Sequence, residues 1–443
     1  MRPLAAIAAA AALWNLVQWL AIVARGVPIG YGEGAVVHAG QILARGGDPY
    51  AIDPSRFVSA NYPPLGYVAV ALGLPLGPFT GLRLANVVAA CAIAALAAWL
   101  ARRSPWRALA LGASFLALYP VGAWTPGDRV DLLAVALAGA AIVSLIAARN
   151  VTLFAILGGL AIAAKPTAVV PLAAVLAYLV WRERARGAQA TVALAIAILA
   201  AGAVILLRFD PRGVYQHLVV YNAFPYDFRN PPLLLVLAVL LLGGYVLLAL
   251  RLAEPALRAY VAGAVLVVLL AGHEGATINY LLDLAAASCL ALAASARAWP
   301  AWGAPVLAGQ LGATLLLTVV GPFAPPSLDA LAARASIARD MPAGAAYYAE
   351  DSAVLVAAGI EPIVDDSFVW ARVVELGGRA DDVTPRVASR SFAAIFSDVP
   401  LDDLERASEL ERLRWPAELA RTVLTHYTLD RSIRGGYRYV PRR

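Results

Sequence analysis

Apolar runs close in length to one membrane crossing recur from residue 4 to residue 320, and few folds can absorb them. Of the 443 residues, 61% are hydrophobic and only 14% charged, a balance that excludes an ordinary soluble domain. The expected spans cover 4–24, 82–100, 106–124, 130–148, 151–164, 167–181, 191–207, 233–250, 259–271, 280–296 and 302–320, roughly eleven in all. Backbone polar groups in lipid need partners within the segment, so these runs are expected to be helices. The predicted fold class is an all-α polytopic membrane bundle spanning 1–321, followed by a small C-terminal α/β domain.

In a soluble protein the net charge of +6 would suggest nucleic acid. Here the arginines sit at helix ends, and membrane lipids with their head groups are the expected partners, with no nucleic acid. Arg102, Arg103, Arg107, Arg182, Arg184, Arg186, Arg251 and Arg258 collect on one set of connections. Glu33, Asp48, Asp53, Asp128, Asp131, Asp210, Asp227 and Glu274 collect on the other. Arg45, Arg56, Arg129, Arg208, Arg212 and Arg229 fall on the acidic side as well, so the asymmetry is a tendency, and by it the N-terminus is expected in the cytoplasm and the C-terminal domain outside a cell inner or plasma membrane. Residues 1–25 resemble a signal peptide, but the apolar stretch is long and lacks a small-residue cleavage site, so an uncleaved first helix is expected. Residues 63–78 are apolar yet interrupted by Pro75. They are expected to form a juxtamembrane helix within the first outer loop, 26–80.

From about residue 322 the composition turns polar and no further apolar span occurs. Helical periodicity at 327–341 and 415–426 alternates with short strands expected at 345–349, 361–364, 392–396 and 437–440. Cys91 and Cys289 fall within apolar segments and are expected to be core residues. The four histidines show no paired ligand spacing, and neither HExxH nor CxxC occurs, so no metal and no cofactor are expected. Walker and GxGxxG loops are absent as well, which argues against a nucleotide.

Chemistry is concentrated in the first outer loop. Glu33 stands between Gly32 and Gly34 at a helix exit. It reads either as an interfacial acid facing water or as a general base whose partial burial raises its proton affinity. Asp48, in Gly46-Gly47-Asp48-Pro49-Tyr50, is a turn residue on local grounds and the second candidate base. Asn61-Tyr62-Pro63-Pro64-Leu65 imposes an extended approach to the next helix. Lys165 is the only lysine of the chain, and it lies between short apolar helices beside Pro166. A lone cation there needs an anionic partner, either Asp128 or Asp131 or a lipid phosphate. The segment 208–230 interleaves Arg208, Arg212, Tyr215, His217, Tyr221, Asn222, Tyr226, Asp227 and Arg229. That mixture suits sugar stacking and phosphate binding, and equally an interfacial aromatic belt. His273, Glu274 and Asn279 cap a later outer turn that is expected to line the same cavity as Tyr50, Tyr62, Asp128, Asp131, His217 and Tyr221.

Together these features resemble the polytopic glycosyltransferases of the GT-C superfamily, which include protein O-mannosyltransferases, lipid A aminoarabinose transferases and polyprenol-phosphate-mannose-dependent mannosyltransferases. The resemblance rests on Glu33, on Gly47-Asp48-Pro49-Tyr50, on Tyr62-Pro63-Pro64-Leu65 and on Lys165-Pro166-Thr167. It implies a polyprenyl-phosphate-linked sugar as donor and an inverting transfer to a glycan, lipid or protein acceptor on the outer face. By carry-over, Glu33 is the base, with Asp48 as the alternative. Lys165, Arg208 and Arg229 hold the donor phosphate. Two other functions remain open at this point. One is a ligase or polymerase of pyrophosphate-linked glycans leaning on Arg208, Arg212, His217 and Arg229; the other is a transporter of lipid-linked sugar, for which matching broken helices are missing.

Overall fold

The structure is a computed structural model, and it describes residues 1–320, 327–338, 340–342, 344–433 and 436–443. Helix α1 (Arg2–Arg25) stops at Gly26, whose N–H closes on the Ile22 and Val23 carbonyls and whose φ of +58° turns the following chain off the helix axis. In the next segment the acidic stretch folds into a helix, and the juxtamembrane helix expected at 63–78 is present at 65–73. These are α2 (Glu33–Ala44), whose first-turn acid suits the helix dipole, and α3 (Leu65–Gly73), which follows Pro63-Pro64. Next come α4 (Gly81–Leu100), α5 (Pro105–Ala117), α6 (Tyr119–Trp124), α7 (Asp131–Ile146), α8 (Val151–Ala164), α9 (Val169–Arg182) and α10 (Arg184–Arg208). A short amphipathic α11 (Pro211–Leu218) leads to α12 (Asn230–Leu252), α13 (Pro255–Leu269), α14 (Leu282–Ala294) and α15 (Gly303–Val320).

Each expected span has a helix at its place, with one break. The run at 106–124 divides at Leu118, which is extended (φ −64°, ψ 134°). Pro120 explains the division, because it has no N–H to donate and its ring would strike the preceding helical turn. By length and composition alone, α1, α4, α10, α12 and Pro255–Gly272 can each cross a membrane. The helices α7, α8 and α9 are shorter, so helix length does not by itself return the expected eleven crossings. Helix α14 is buried on every side from Leu282 to Ala293, and its run of alanines lets neighbouring helices approach closely. Helix α10 fully buries only Gly187, Ala190 and Leu194, and Val192, Ile196, Leu199, Val204, Leu206 and Leu207 face outward.

The boundary expected at 321/322 lies outside the described residues. Beyond it are α16 (Leu328–Ala335), α17 (Ala353–Ala357), α18 (Ser367–Glu375), α19 (Thr384–Ala388), α20 (Glu409–Arg414) and α21 (Ala417–His426). They surround a sheet of β1 (Tyr347–Ala349), β2 (Ala394–Ser397), β3 (Tyr427–Ile433) and β4 (Gly436–Pro441) in the order β1-β2-β4-β3. The first pair is parallel, and β4 runs antiparallel to both β2 and β3. The strand expected at 361–364 does not join this sheet. Instead Ile363 and Asp365 flank a parallel bridge to the first outer loop, with Phe57 N–H donating to the Ile363 carbonyl (2.8 Å) and Asp365 N–H to the Phe57 carbonyl (3.1 Å). Pro362 has no N–H to offer a sheet, which suits this segment to a short external pairing.

The C-terminal domain therefore sits directly on the first outer loop. At Gly34, in α2, a Cβ would lie 2.2 Å from Ser352 Oγ and 2.3 Å from the Ala353 nitrogen. No larger residue fits without moving backbone. Gly34→Ala is expected to loosen this contact at a cost of about 1–3 kcal/mol, and limited proteolysis should show faster release of the C-terminal domain.

Candidate functional site

A charged knot underlies the first outer loop. Glu33, Arg83 and Asp128 are each at most 1% exposed. Arg83 Nη2 donates to both Glu33 oxygens (3.1 and 3.0 Å), and its Nε lies 2.9 Å from Asp128 Oδ2. The remaining capacity of Glu33 is taken by backbone. Oε1 accepts from Asp128 N–H (2.8 Å), and Oε2 accepts from Ile29 N–H (2.7 Å) and Gly30 N–H (3.3 Å). One helical turn further along α4, Asn86 donates to the Gly127 and Arg129 carbonyls (2.9 and 2.7 Å). The knot thus welds α2, α4 and the segment 127–130 into one frame.

Above this frame opens a cavity of about 570 Å³, within the range of small-molecule sites. Its walls come from separate parts of the chain: Tyr31, Gly32, Asn61 and Tyr62 of the first loop, Trp124 and Arg129, Lys165-Pro166-Thr167, the segment 273–280, and Asp366, Phe368 and Arg414 of the C-terminal domain. Lys165 reaches the wall because α8 ends there. Its extended backbone (φ −151°, ψ 121°) and Pro166 break the helix before α9 begins. Its ammonium donates to Asp131 Oδ1 and lies 4.7 Å above the Tyr280 ring. Asp131 also accepts from Asn279 Nδ2 (2.8 Å) and Trp124 Nε1 (2.9 Å). Asp131 itself sits just below the main cavity, in a small recess with Asp283.

Of the residues singled out from the sequence, the structure brings Tyr62, Lys165, His273, Glu274 and Asn279 to the cavity wall. Asn61, Pro166, Thr167 and Asn222 line it too, whereas Glu33, Asp48, Tyr50, Asp128, Arg208, His217, Tyr221 and Arg229 do not. Glu33 does not open onto the cavity, since both of its oxygens are spent inside the knot. Glu33 is thus neither the water-facing acid nor the partly buried one expected, but a fully buried member of the knot. Asp48 is a turn and anchoring residue: Oδ1 accepts from Tyr50 N–H (2.8 Å) and Oδ2 from Asp210 N–H (2.9 Å). Arg208 donates to the Gly46 and Gly47 carbonyls (3.0 and 3.4 Å), closing that turn from outside. Arg229 is a surface residue paired with Asp227 (3.0 Å), so neither arginine faces the cavity. Tyr50 is fully buried, and its hydroxyl donates to the Tyr62 carbonyl (2.7 Å). Its ring meets His217, which in turn meets Tyr221, so all three belong to a packed aromatic layer behind the cavity wall. Asp128 belongs to the knot.

Four wall residues carry weight that sequence reasoning did not assign. Arg129, beside Asp128, donates to the Tyr31 carbonyl and lines the cavity. Tyr31, Asp366 and Arg414 meet across more than three hundred residues of chain, where no local pattern could signal it. Arg83 did leave a signal, being an arginine near the start of an apolar span. Among the described residues no group of three His, Cys, Asp or Glu side chains is placed to hold a metal ion.

Arg83→Met is expected to lower stability by about 3 kcal/mol, because it strands two buried carboxylates, and Glu33→Gln, which leaves Arg83 paired with Asp128, should cost less. The double variant should lose less than the sum, as a thermal-unfolding cycle in detergent would show. His217 supplies a pH test. Burial lowers its imidazole pKa from 6.5 to about 4, so the folded protein keeps it neutral. The unfolded chain takes up a proton as pH falls below the ordinary histidine range, so stability should drop between pH 6.5 and 4. The loss, on the order of 3 kcal/mol, should shrink in His217→Gln when unfolding is followed across that range.

No family model matches the chain, and no curated protein matches it by sequence. Solved structures do match over its length. The apo crystal structure of ArnT from Cupriavidus metallidurans, an aminoarabinose transferase, aligns with a TM-score of 0.67 and 12% identity, covering 96% of each chain. The same protein bound to undecaprenyl phosphate aligns with a TM-score of 0.64 and 14% identity, again over 96% of each chain. The helical bundle, the helical first loop and the C-terminal domain together thus share the fold of that transferase, in keeping with the resemblance carried by the first loop and the lysine turn.

Proposed function

We propose that this chain is a multi-pass membrane glycosyltransferase that moves a sugar from a polyprenyl-phosphate donor to an acceptor at the outer face of the membrane. The observation that carries the reading is the cavity. It combines the one lysine of the chain with Arg129 beneath a wall of aromatic rings, in a fold shared with a protein solved with undecaprenyl phosphate. In the transfer, the acceptor oxygen bonds to the anomeric carbon as the bond from that carbon to the phosphate oxygen breaks. The electron pair leaves with the lipid phosphate, and the acceptor proton passes to a base. Negative charge therefore grows on the phosphate, where preorganised cations count most. Lys165 is fixed by Asp131 and Tyr280, and Arg129 by the Tyr31 carbonyl, so both are oriented before the lipid arrives. A single displacement of this kind inverts the anomeric centre. A ligase of pyrophosphate-linked glycans finds less support, because Arg208 and Arg229 stand outside the cavity and His217 is buried behind it.

Purified protein in nanodiscs is expected to bind undecaprenyl phosphate. Lys165→Met should weaken that binding about tenfold, the worth of one charge-assisted hydrogen bond, and Lys165→Arg should recover part of it. Unaltered protein that shows no affinity for the lipid, by intrinsic tryptophan fluorescence or thermal shift, would remove the basis of the proposal.

A further inference from the structure

The cavity has two chemically different ends, and one tyrosine joins them. The Tyr31 backbone carbonyl accepts from Arg129, at the end that holds Lys165. The Tyr31 hydroxyl, at the other end of the same side chain, donates to Asp366 Oδ1 (2.5 Å). Burial and the neighbouring carboxylate hold the Tyr31 phenol well above its ordinary range, so it remains a donor. Above the Tyr31 ring, 3.6 Å from its centre, lies the Arg414 guanidinium. The second end is thus built from a carboxylate, a guanidinium and a phenol, two of them from the C-terminal domain.

These groups are held from behind. Asp366 caps α18, accepting from Val369 N–H (3.0 Å). Arg414 donates to Glu350 Oε1 (3.0 Å), and Glu350 is itself buried and held by Trp415 Nε1 (2.8 Å), Ser397 Oγ (3.0 Å) and Asp398 N–H (2.8 Å). A carboxylate accepts hydrogen bonds from vicinal hydroxyls, and a guanidinium donates to their oxygens; an aromatic face covers the apolar side of a pyranose. A bare lipid phosphate has no hydroxyls to offer such a site.

We infer that the C-terminal domain supplies the sugar subsite of the cavity, with Asp366 and Arg414 binding hydroxyls of the donor sugar one tyrosine's length from the phosphate end. The inference rests on the glycosyltransferase reading above and adds a specificity role for the domain. Arg414 cannot swing aside to serve the phosphate, because Glu350 and the Tyr31 ring fix it. Asp366 repels phosphate outright. The phosphate and sugar contacts are therefore separable by mutation.

Equilibrium binding to the full chain in nanodiscs tests it, comparing undecaprenyl phosphate with undecaprenyl-phosphate-linked glucose, mannose, galactose and aminoarabinose. At least one sugar-bearing lipid should bind about tenfold more tightly than the bare lipid phosphate. Asp366→Asn, which preserves the helix cap, and Arg414→Lys, which preserves the charge, should each erase most of that gain. Both should leave affinity for bare undecaprenyl phosphate within about twofold, whereas Lys165→Met should weaken both kinds of lipid together. Equal affinity of bare and sugar-bearing lipids would overturn the inference. So would variants that keep the gain, or that lose bare lipid phosphate to the same extent. Protein that binds none of the lipids would instead defeat the glycosyltransferase reading itself.

Discussion

The end of the bundle that carries the first loop is organised around Arg83. An unpaired guanidinium at this depth would be costly, and two neighbouring carboxylates without it would repel one another. Glu33 and Asp128 therefore come to Arg83, and each brings its backbone along. Glu33 fixes the start of α2, and its second oxygen gathers Ile29 and Gly30. Asp128 fixes the turn from which Arg129 and Asp131 project. The charges contribute less by raw attraction than by allowing only one arrangement of three segments. Arg129 and Asp131, and through Asp131 the lysine turn, inherit their positions from it.

The cavity then collects side chains that no single segment could assemble. Short helices are part of the means. Helices α8 and α9 meet at Lys165-Pro166, which places a cation in a space walled by Tyr62, Trp124 and Tyr280. The C-terminal domain closes the opposite side through Asp366, Phe368 and Arg414. Its link to the first loop is extensive: the Phe57 bridge, Ser59 N–H donating to Asp365 Oδ1 (2.8 Å), and His38 Nδ1 at 3.1 Å from Asp365 Oδ2. A domain that looks separate by composition is, by contact, the lid of the membrane part.

Much of the architecture was legible because it is written in short-range pattern. Apolar runs announced the bundle helices, the proline pair announced α3, and alternation announced β1, β2 and β4. Lys165 stood out by being alone. What escaped was what depends on a distant partner. Glu33 looked like an available acid because its neighbours are glycines, and nothing near it in sequence reveals an arginine fifty residues on. Arg208 and Arg229 looked like phosphate ligands because they lie among aromatics, yet a turn carbonyl and the adjacent Asp227 take their donors. Strand β3, with Thr428, Asp430, Arg431 and Ser432, is a polar edge strand whose pairing with β4 decides its conformation more than its composition does.

The contact at Gly34 has a bearing on how such a protein could diversify. With Ser352 and the Ala353 backbone pressed against a residue that has no side chain, α2 and the head of α17 fit as key and keyhole. Exchanging the C-terminal domain with that of a distant cousin is expected to fail unless the first loop travels with it. A change in the head of α17 therefore calls for a matching change in α2.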